Sequence, residues 1–318
     1  MTSNPPLYLY REALRLGTTR QLTAAHRSGS LTRVARGAYI QTADWMSLTP
    51  DEKYRAAVRA AAAISPPQSQ FCRDSAAALW RLPSIGPWPT VAHELVNPTA
   101  GGTSRVGIRR HARGLDPSRM VIDDVTVTSL ARTIVDMSCA TPFVRAVAMA
   151  DHAMRIGLTM PELVSTMDAL MPYRGLARAR RVAEFASPLS ESPGESFSRV
   201  QFHALGYPAP ELQVKFFDEH GFIGFADFFW RDLGLIGEFD GRSKYGVLRR
   251  YQRDMTLEQI LLDEKAREDR LRRVSRSFVR LDWARVSDRR RLAAYLRPHG
   301  LVETGRSTKH VREPVWGI

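Results

Sequence analysis

Cysteine is nearly missing from this chain: its 318 residues hold two, Cys72 and Cys139. They stand far apart with no CxxC partner, which argues against a disulfide framework and a zinc cluster. Both lie in apolar stretches and read as small buried hydrophobes. Also missing is any run of eighteen apolar residues, so no membrane-spanning helix is expected. Met1 to Pro6 is polar and proline-bearing, without the apolar centre of a signal peptide, and a soluble cytoplasmic protein is expected. The stretch 98–104 (PTAGGTS) lacks the lysine of a nucleotide-binding loop, and no GxSxG elbow occurs. His111, His152 and His203 stand isolated on different expected elements without metal-ligand spacing, which points to structural or surface roles. Acidic residues are too few to balance the basic ones: Asp and Glu number 33 against 46 Lys and Arg, a net charge of +13. That excess, mostly arginine, attracts polyanions and raises affinity for nucleic acid, because the guanidinium fork matches phosphate. A compositional bias toward Arg and Ala would produce the same charge without such a partner.

Apolar residues make up 44 % of the chain, enough to bury cores, and the length fits two or three units. Residues 7–16 read as a short helix ended by Gly17. Thr18 and Thr19 then open a second helix that stops at Gly29. Leu31, Val34, Ala38 and Ile40, with a turn at Gly37, predict a β-hairpin. Helix, turn, helix and hairpin in that order give a winged helix-turn-helix over 1–48. Residues 49–187 read as an α+β middle domain. It has helices at 49–64 and from Asp74 to Pro83, a small mixed sheet within 89–128, and helices at 129–139, 142–156, 160–170 and 175–186. The polar break at Pro188, Ser190, Ser192, Pro193 and Gly194 marks a boundary. A third domain over 188–300 has a helix from Glu195 and strands at 211–217, 222–230 and 234–240. A charged helix at 250–274, a strand at 277–283 and a last helix follow. Residues 301–318 form a polar tail.

The stretch 221–245 carries the chemistry. Asp227 sits inside an aromatic run, FADFFW, and a carboxylate in a buried strand is costly unless a cation neutralises it. Glu238 and Asp240 lie two apart on the next strand and so share one face, with Phe239 on the other. If the two strands form a hairpin, all three carboxylates meet, and a hard divalent cation relieves their repulsion with oxygen ligands. Such a cation can generate hydroxide and stabilise a phosphoryl transition state. The competing reading makes Asp227, Glu238 and Asp240 ion-pair partners of arginines on the 250–274 helix. That helix also has the spacing for solvated i,i+4 pairs, with Glu268 facing Arg272.

Over about 193–298 the sequence resembles the very-short-patch-repair-like branch of the PD-(D/E)xK nuclease superfamily. The matching residues are Glu195 with Ser198-Arg199, Gly206 and Pro208, Asp227-Phe228, Glu238-Phe239-Asp240-Gly241, Lys244-Tyr245, and 264–270 ahead of Phe278-Val279-Arg280. The resemblance implies an α/β restriction-endonuclease-like domain with a mixed central sheet flanked by helices. It implies that Asp227 and Glu238, edged by Asp240, hold Mg²⁺ or Mn²⁺, with Glu195 as an accessory acid. The superfamily's lysine falls two residues after Glu238, where this chain has Asp240. Lys244 is the nearby candidate to polarise the nucleophile. Lys265, Arg267 and Arg270 would contact DNA.

The first 45 residues resemble the winged-helix domain of AbiE-type (type IV) antitoxins, through Thr19-Arg20-Gln21-Leu22 to Gly29, Leu31, Val34 and Arg36-Gly37-Ala38-Tyr39. The middle segment fits the same group through Ser75-Ala76-Ala77-Ala78-Leu79, Leu82-Pro83, and 127–133 with Val135-Asp136. This resemblance implies operator binding, with Arg20, His26-Arg27, Arg33 and Arg36 as DNA contacts, and a cognate toxin or operon partner. Two functions stay open. One is a Mg²⁺-dependent DNA endonuclease. The other is an antitoxin-like transcriptional regulator whose nuclease-like domain is inert.

Overall fold

The computed structural model describes residues 4–100, 104–240 and 256–303. The chain divides into two compact units, Met1–Met149 with Ile156–Glu184, and Ala150–Arg155 with Phe185–Ile318. It is α+β throughout, with antiparallel and mixed sheets flanked by helices. Among the described residues no helix is long and apolar enough to cross a membrane.

The first unit opens with β1 (Tyr8–Leu9), α1 (Tyr10–Arg15), α2 (Thr19–Arg27), β2 (Leu31–Ala35) and β3 (Ala38–Gln41). The single helix expected over 7–16 is corrected at its start. Tyr8 and Leu9 pair with Tyr39 and Ala38 and complete a three-stranded sheet of order β1-β3-β2. A two-residue strand has too little length for an alternation to show, and tertiary pairing overrides local propensity. Leu22 of α2 packs with Ala13 and Leu31, which fixes the helical pair on the hairpin. A short α3 (Thr42–Ser47), without a signal in the sequence, leads to α4 (Pro50–Ala63). Helix α4 starts where Thr49 and Glu52 form a reciprocal cap ahead of Pro50.

The rest of this unit is built on β4 (Gln70–Phe71), α5 (Arg73–Leu79), β5 (Ala92–Val96), β6 (Ile108–Ala112), β7 (Met120–Ile122) and β8 (Val125–Val127). The five strands form a mixed sheet of order β6-β5-β4-β8-β7, with β5–β6 and β4–β8 parallel. Its core packs Phe71, Ile108 and Val127 against Val58 and Ala61 of α4. Helices α6 (Leu130–Ala140), α7 (Phe143–Arg155), α8 (Met160–Ala169) and α9 (Leu176–Phe185) follow.

The second unit consists of α10 (Pro193–Ala204), β9 (Glu211–Asp218), β10 (Gly221–Trp230), β11 (Leu235–Phe239), α11 (Leu257–Val274), β12 (Ser277–Leu281), α12 (Trp283–Val286) and α13 (Arg289–Leu296). Its sheet has the order β12-β11-β10-β9. Strands β9 to β11 form an antiparallel meander, and β12 returns parallel to β11. Phe202 of α10 stacks edge-on against Phe228 and Trp230, which fastens that helix to the sheet. Leu271 of α11 packs with Ile236 and Phe278. The last turns of α7 belong to this unit. There the buried Asp151 accepts from Ser187 N, Ser196 Oγ and Arg199 Nη1. Burial pushes its carboxyl pKa up, against the pull of Arg199.

Candidate carboxylate centre

Sheet register builds this centre. The β10–β11 ladder pairs Phe228 with Gly237, so the next step sets Asp227 opposite Glu238. Beyond that step the ladder gives way. The Phe239 amide donates to Asp227 Oδ2 at 2.8 Å, a side chain standing where a strand carbonyl would otherwise accept. On the far side Glu238 pairs in register with Arg280 of β12. On the near side Gln213 of β9 lies opposite Asp227, between the pairs Val214–Ala226 and Leu212–Phe228. One polar row, Gln213, Asp227, Glu238 and Arg280, thus crosses the sheet. Asp227 and Glu238 are 7 % and 4 % exposed, which for carboxylates requires committed partners.

No local sequence signal points to Gln213. Its φ of 51° is left-handed, a conformation that costs a non-glycine residue about 1–2 kcal/mol. Its side-chain amide reaches Asp227 Oδ1 at 3.3 Å and Glu195 Oε2 at 3.4 Å, linking the two acids. Glu195 is carried there by α10, which lies close on β11. Any Cβ at Gly194 would collide with the Phe239 ring. The Glu195 carboxylate accepts from Glu191 N at 2.8 Å and Ser192 Oγ at 2.7 Å, while Ser192 Oγ accepts from Glu195 N. Its observed work is to cap the helix.

Arg267 of α11 closes over Glu238. Nη1 and Nη2 each donate to one carboxylate oxygen at 2.8 Å, a bidentate pair. The same guanidinium holds Glu264, at 2.8 Å from Nη2. Burial works against the Arg267 charge, yet the hydrogen bonds and fields of Glu264 and Glu238 outweigh it and hold its pKa above the ordinary value. Arg280 meets Glu268 at 2.5 Å and Asp240 at 3.5 Å. The reading of these acids as ion-pair partners of the charged helix therefore describes Glu238, which meets Arg267. Asp240 instead meets an arginine on β12. Asp227 takes the Phe239 amide and Gln213 among its partners.

The other expected site residues are placed as follows. Arg270 donates to Asp218 at 2.5 Å and 2.7 Å and pulls that carboxyl down to about 2. Lys265 is exposed, and positions two apart on a helix do not share a face, so it points away from Arg267. Arg272 pairs with Glu268 one turn back, at 2.6 Å. Gly241, Lys244, Tyr245, Arg253 and Asp254 lie outside the described residues. Beside the centre, three exposed rings form a ladder: Phe217 to Phe222 at 5.4 Å and Phe222 to Phe225 at 5.5 Å. Lys215 Nζ stands 5.7 Å over Phe225. In the first unit Arg20, Arg27, Arg33 and Arg36 all reach solvent. Arg33 and Arg36 also line a cavity of about 260 Å³ together with Val106 and Gly107.

A divalent metal is implied here by the sequence resemblance. Among the described residues no group of three or more His, Cys, Asp or Glu stands close enough to hold one. The donor set offered is the pair Asp227 and Glu238. Each carboxylate oxygen has two lone pairs, so a hydrogen-bonded carboxylate can still ligate a cation. Hard oxygen donors of this kind fit Mg²⁺ or Mn²⁺, with water completing the shell. Arg267 is the group that such a cation would have to share Glu238 with.

No family model matches the chain. It is similar to two uncharacterized proteins of Mycobacterium tuberculosis, one from strain CDC 1551 / Oshkosh and one from strain ATCC 25618 / H37Rv. Each is 27 % identical over 282 residues, which covers 85 % of this chain and 99 % of the relative.

Proposed function

We propose that this protein binds DNA and that its second unit is a PD-(D/E)xK-type, Mg²⁺-dependent endonuclease domain that hydrolyses phosphodiester bonds. The observation that carries the reading is the polar row in which Asp227 and Glu238 stand opposite each other, buried among aromatics. The mixed four-stranded sheet with helices packed on it agrees with the architecture that the resemblance implies. When bound, the metal would supply a hydroxide nucleophile and offset charge on the phosphoryl oxygens. Asp227 and Glu238 would hold it, with Asp227 fixed by the Phe239 amide and by Gln213. Glu195 would act through Gln213, as a positioning residue. Exposed Phe217, Phe222 and Phe225 offer faces on which bases can stack, with Lys215 beside them for a phosphate. In the first unit, α1, α2 and the β2–β3 hairpin would serve as the parts of a winged helix. Arg20 and Arg27 on the second helix and Arg33 and Arg36 on the hairpin, all open to solvent, would make the phosphate and groove contacts.

One observation favours a second reading. Arg267 neutralises Glu238, and Asp240 stands where the superfamily has its lysine. A domain so arranged could grip nucleic acid without cutting it. The protein would then be an antitoxin-like regulator with a cognate toxin or operon partner. Incubation with supercoiled, nicked, mismatched and single-stranded DNA, each with Mg²⁺, Mn²⁺ or EDTA, separates the two. Metal-dependent products support the enzyme, and intact DNA in every arm supports the regulator.

A further inference from the structure

A second polar centre lies in the first unit and has the opposite sign. His93 on β5 and His111 on β6 stack with ring centroids 5.0 Å apart and share a hydrogen bond, between Nδ1 of His93 and Nε2 of His111, at 2.9 Å. The expectation that His111 stands isolated is corrected by this pair. The strands run parallel, with His93 beside Arg109 and Leu95 beside His111. Arg109 and His111 stand at alternate positions and so emerge on one side of the edge strand, and Arg113 follows just past its end. The Arg113 guanidinium lies 4.9 Å from the Tyr173 ring centre, and that of Arg132 on α6 lies 5.7 Å from the same ring. Arg73 joins them from the start of α5, where the Cys72 amide bonds the His93 carbonyl at 2.9 Å.

The acids here are already committed. Asp136 accepts from Arg132 Nε at 3.2 Å and from Tyr173 OH at 2.6 Å. Asp74 accepts from Arg145 at 2.6 Å. Among the described residues, Arg73, Arg109 and Arg113 have no carboxylate partner, and Arg73 is half-buried with a left-handed φ of 50°. Two atoms inside the cluster are buried without a partner: Arg132 Nη2, on a side chain 5 % exposed, and His93 Nε2, on a residue 5 % exposed. Buried polar atoms in folded proteins are nearly always hydrogen-bonded, so such atoms ask for a ligand. Burial first, then the arginines, drives the His93 and His111 pKa values down, to about 4 and about 3. Asp74 opposes this at His93; Arg73, Arg109, Arg113 and Arg145 all push the same way.

We propose that this centre binds a dianionic phosphate monoester, carried by a free nucleotide or by the 5′ end of a nucleic acid. Three arginines without carboxylate partners exceed the charge of one carboxylate ligand, and their forks suit phosphate oxygens. The site is independent of the carboxylate centre in the other unit.

The test is calorimetric titration of the full chain with inorganic phosphate, 5′-AMP and adenosine, and with one oligonucleotide in 5′-phosphate and 5′-hydroxyl forms. Phosphate and AMP should bind and adenosine should not. Arg73→Gln and Arg113→Gln should each weaken AMP about tenfold, the loss of one charge-assisted hydrogen bond, with an unchanged thermal midpoint. The imidazole NMR signals of His93 and His111 should shift on AMP addition and titrate at higher pH. A preference for the 5′-phosphate oligonucleotide over AMP would name nucleic acid as the source, and the reverse a free nucleotide. Equal binding of adenosine and AMP, or full AMP affinity in both variants with unmoved histidine signals, would overturn the proposal.

Discussion

The two units each bury a polar centre in which a carboxylate lies deepest, and the two centres are completed differently. In the second unit carboxylates lie deepest, at Asp227 and Glu238, and an arginine closes over Glu238. In the first unit Asp136 lies deepest and is paired with Arg132, while His93 lies buried beside the half-buried His111 and Asp74 is held by Arg145. A buried charge is tolerated only with a partner, so each centre is neutralised from within. They differ in which sign remains at the mouth. Arginines without carboxylate partners rim the first centre, whereas Arg267 can leave Glu238 to a cation at the second. On the readings proposed above, the first site would take an anion and the second a metal.

The largest effect should come from removing the deepest cation. Arg132→Ala leaves Asp136 buried with only Tyr173 to answer it, and breaking a buried pair costs about 3–5 kcal/mol. Thermal unfolding should show the first unit melting far earlier. A midpoint within a degree of wild type would mean that Asp136 needs no cation, and the comparison would fail. Arg267→Met should cost less, about 2–3 kcal/mol, because this pair is nearer to solvent. The same variant should bind Mn²⁺ more tightly than wild type by titration. Weaker Mn²⁺ binding would show that Arg267 supports the site instead of competing for it.

Acid should also tell the two centres apart. His93 and His111 have folded pKa values near 4 and 3 against an ordinary 6.5. As pH falls below 6.5 the unfolded chain takes up protons that the folded one refuses. Their contribution to stability is therefore lost between about pH 6.5 and 3 and levels off below. A double His93→Gln, His111→Gln variant should show a flatter midpoint-against-pH curve over that window. A curve parallel to wild type would contradict the buried neutral pair. The smallest effect concerns the hairpin. Replacing Arg33 and Arg36 by Ala should lower the salt slope of duplex DNA binding by about 2, near 0.9 for each phosphate no longer neutralised. An unchanged slope would remove the hairpin from the DNA surface.

The acids of the second unit are legible in the sequence because local rules apply to them. A carboxylate inside FADFFW, and Glu238 and Asp240 at strand spacing, announce themselves within a few residues. Gln213 and Arg280, the ends of the same polar row, do not, since only the register of β9 and β12 brings them in. Glu195 is legible as an acid at a helix start, but its helix cap depends on Ser192 and its burial on the approach of α10. The His93–His111 pair stays hidden because it arises from parallel pairing of strands joined by a long connection. Element positions are legible where caps and periodicity are strong, as at Thr49. They are not where the element is a two-residue strand, as at β1 and β4.

One measurement tests the carboxylate centre most directly: the cleavage of labelled DNA against Mg²⁺ and Mn²⁺ concentration by wild type, Asp227→Asn and Glu238→Gln. Each substitution keeps shape and removes a ligand charge. Losing metal stabilisation worth several kcal/mol lowers the rate by about 100-fold or more. The prediction is metal-dependent cleavage by wild type and none above background by either variant, with all three folded and DNA still bound. Robust wild-type cleavage that survives both substitutions would contradict the assignment of the site, and no cleavage by wild type with any metal would contradict the enzyme.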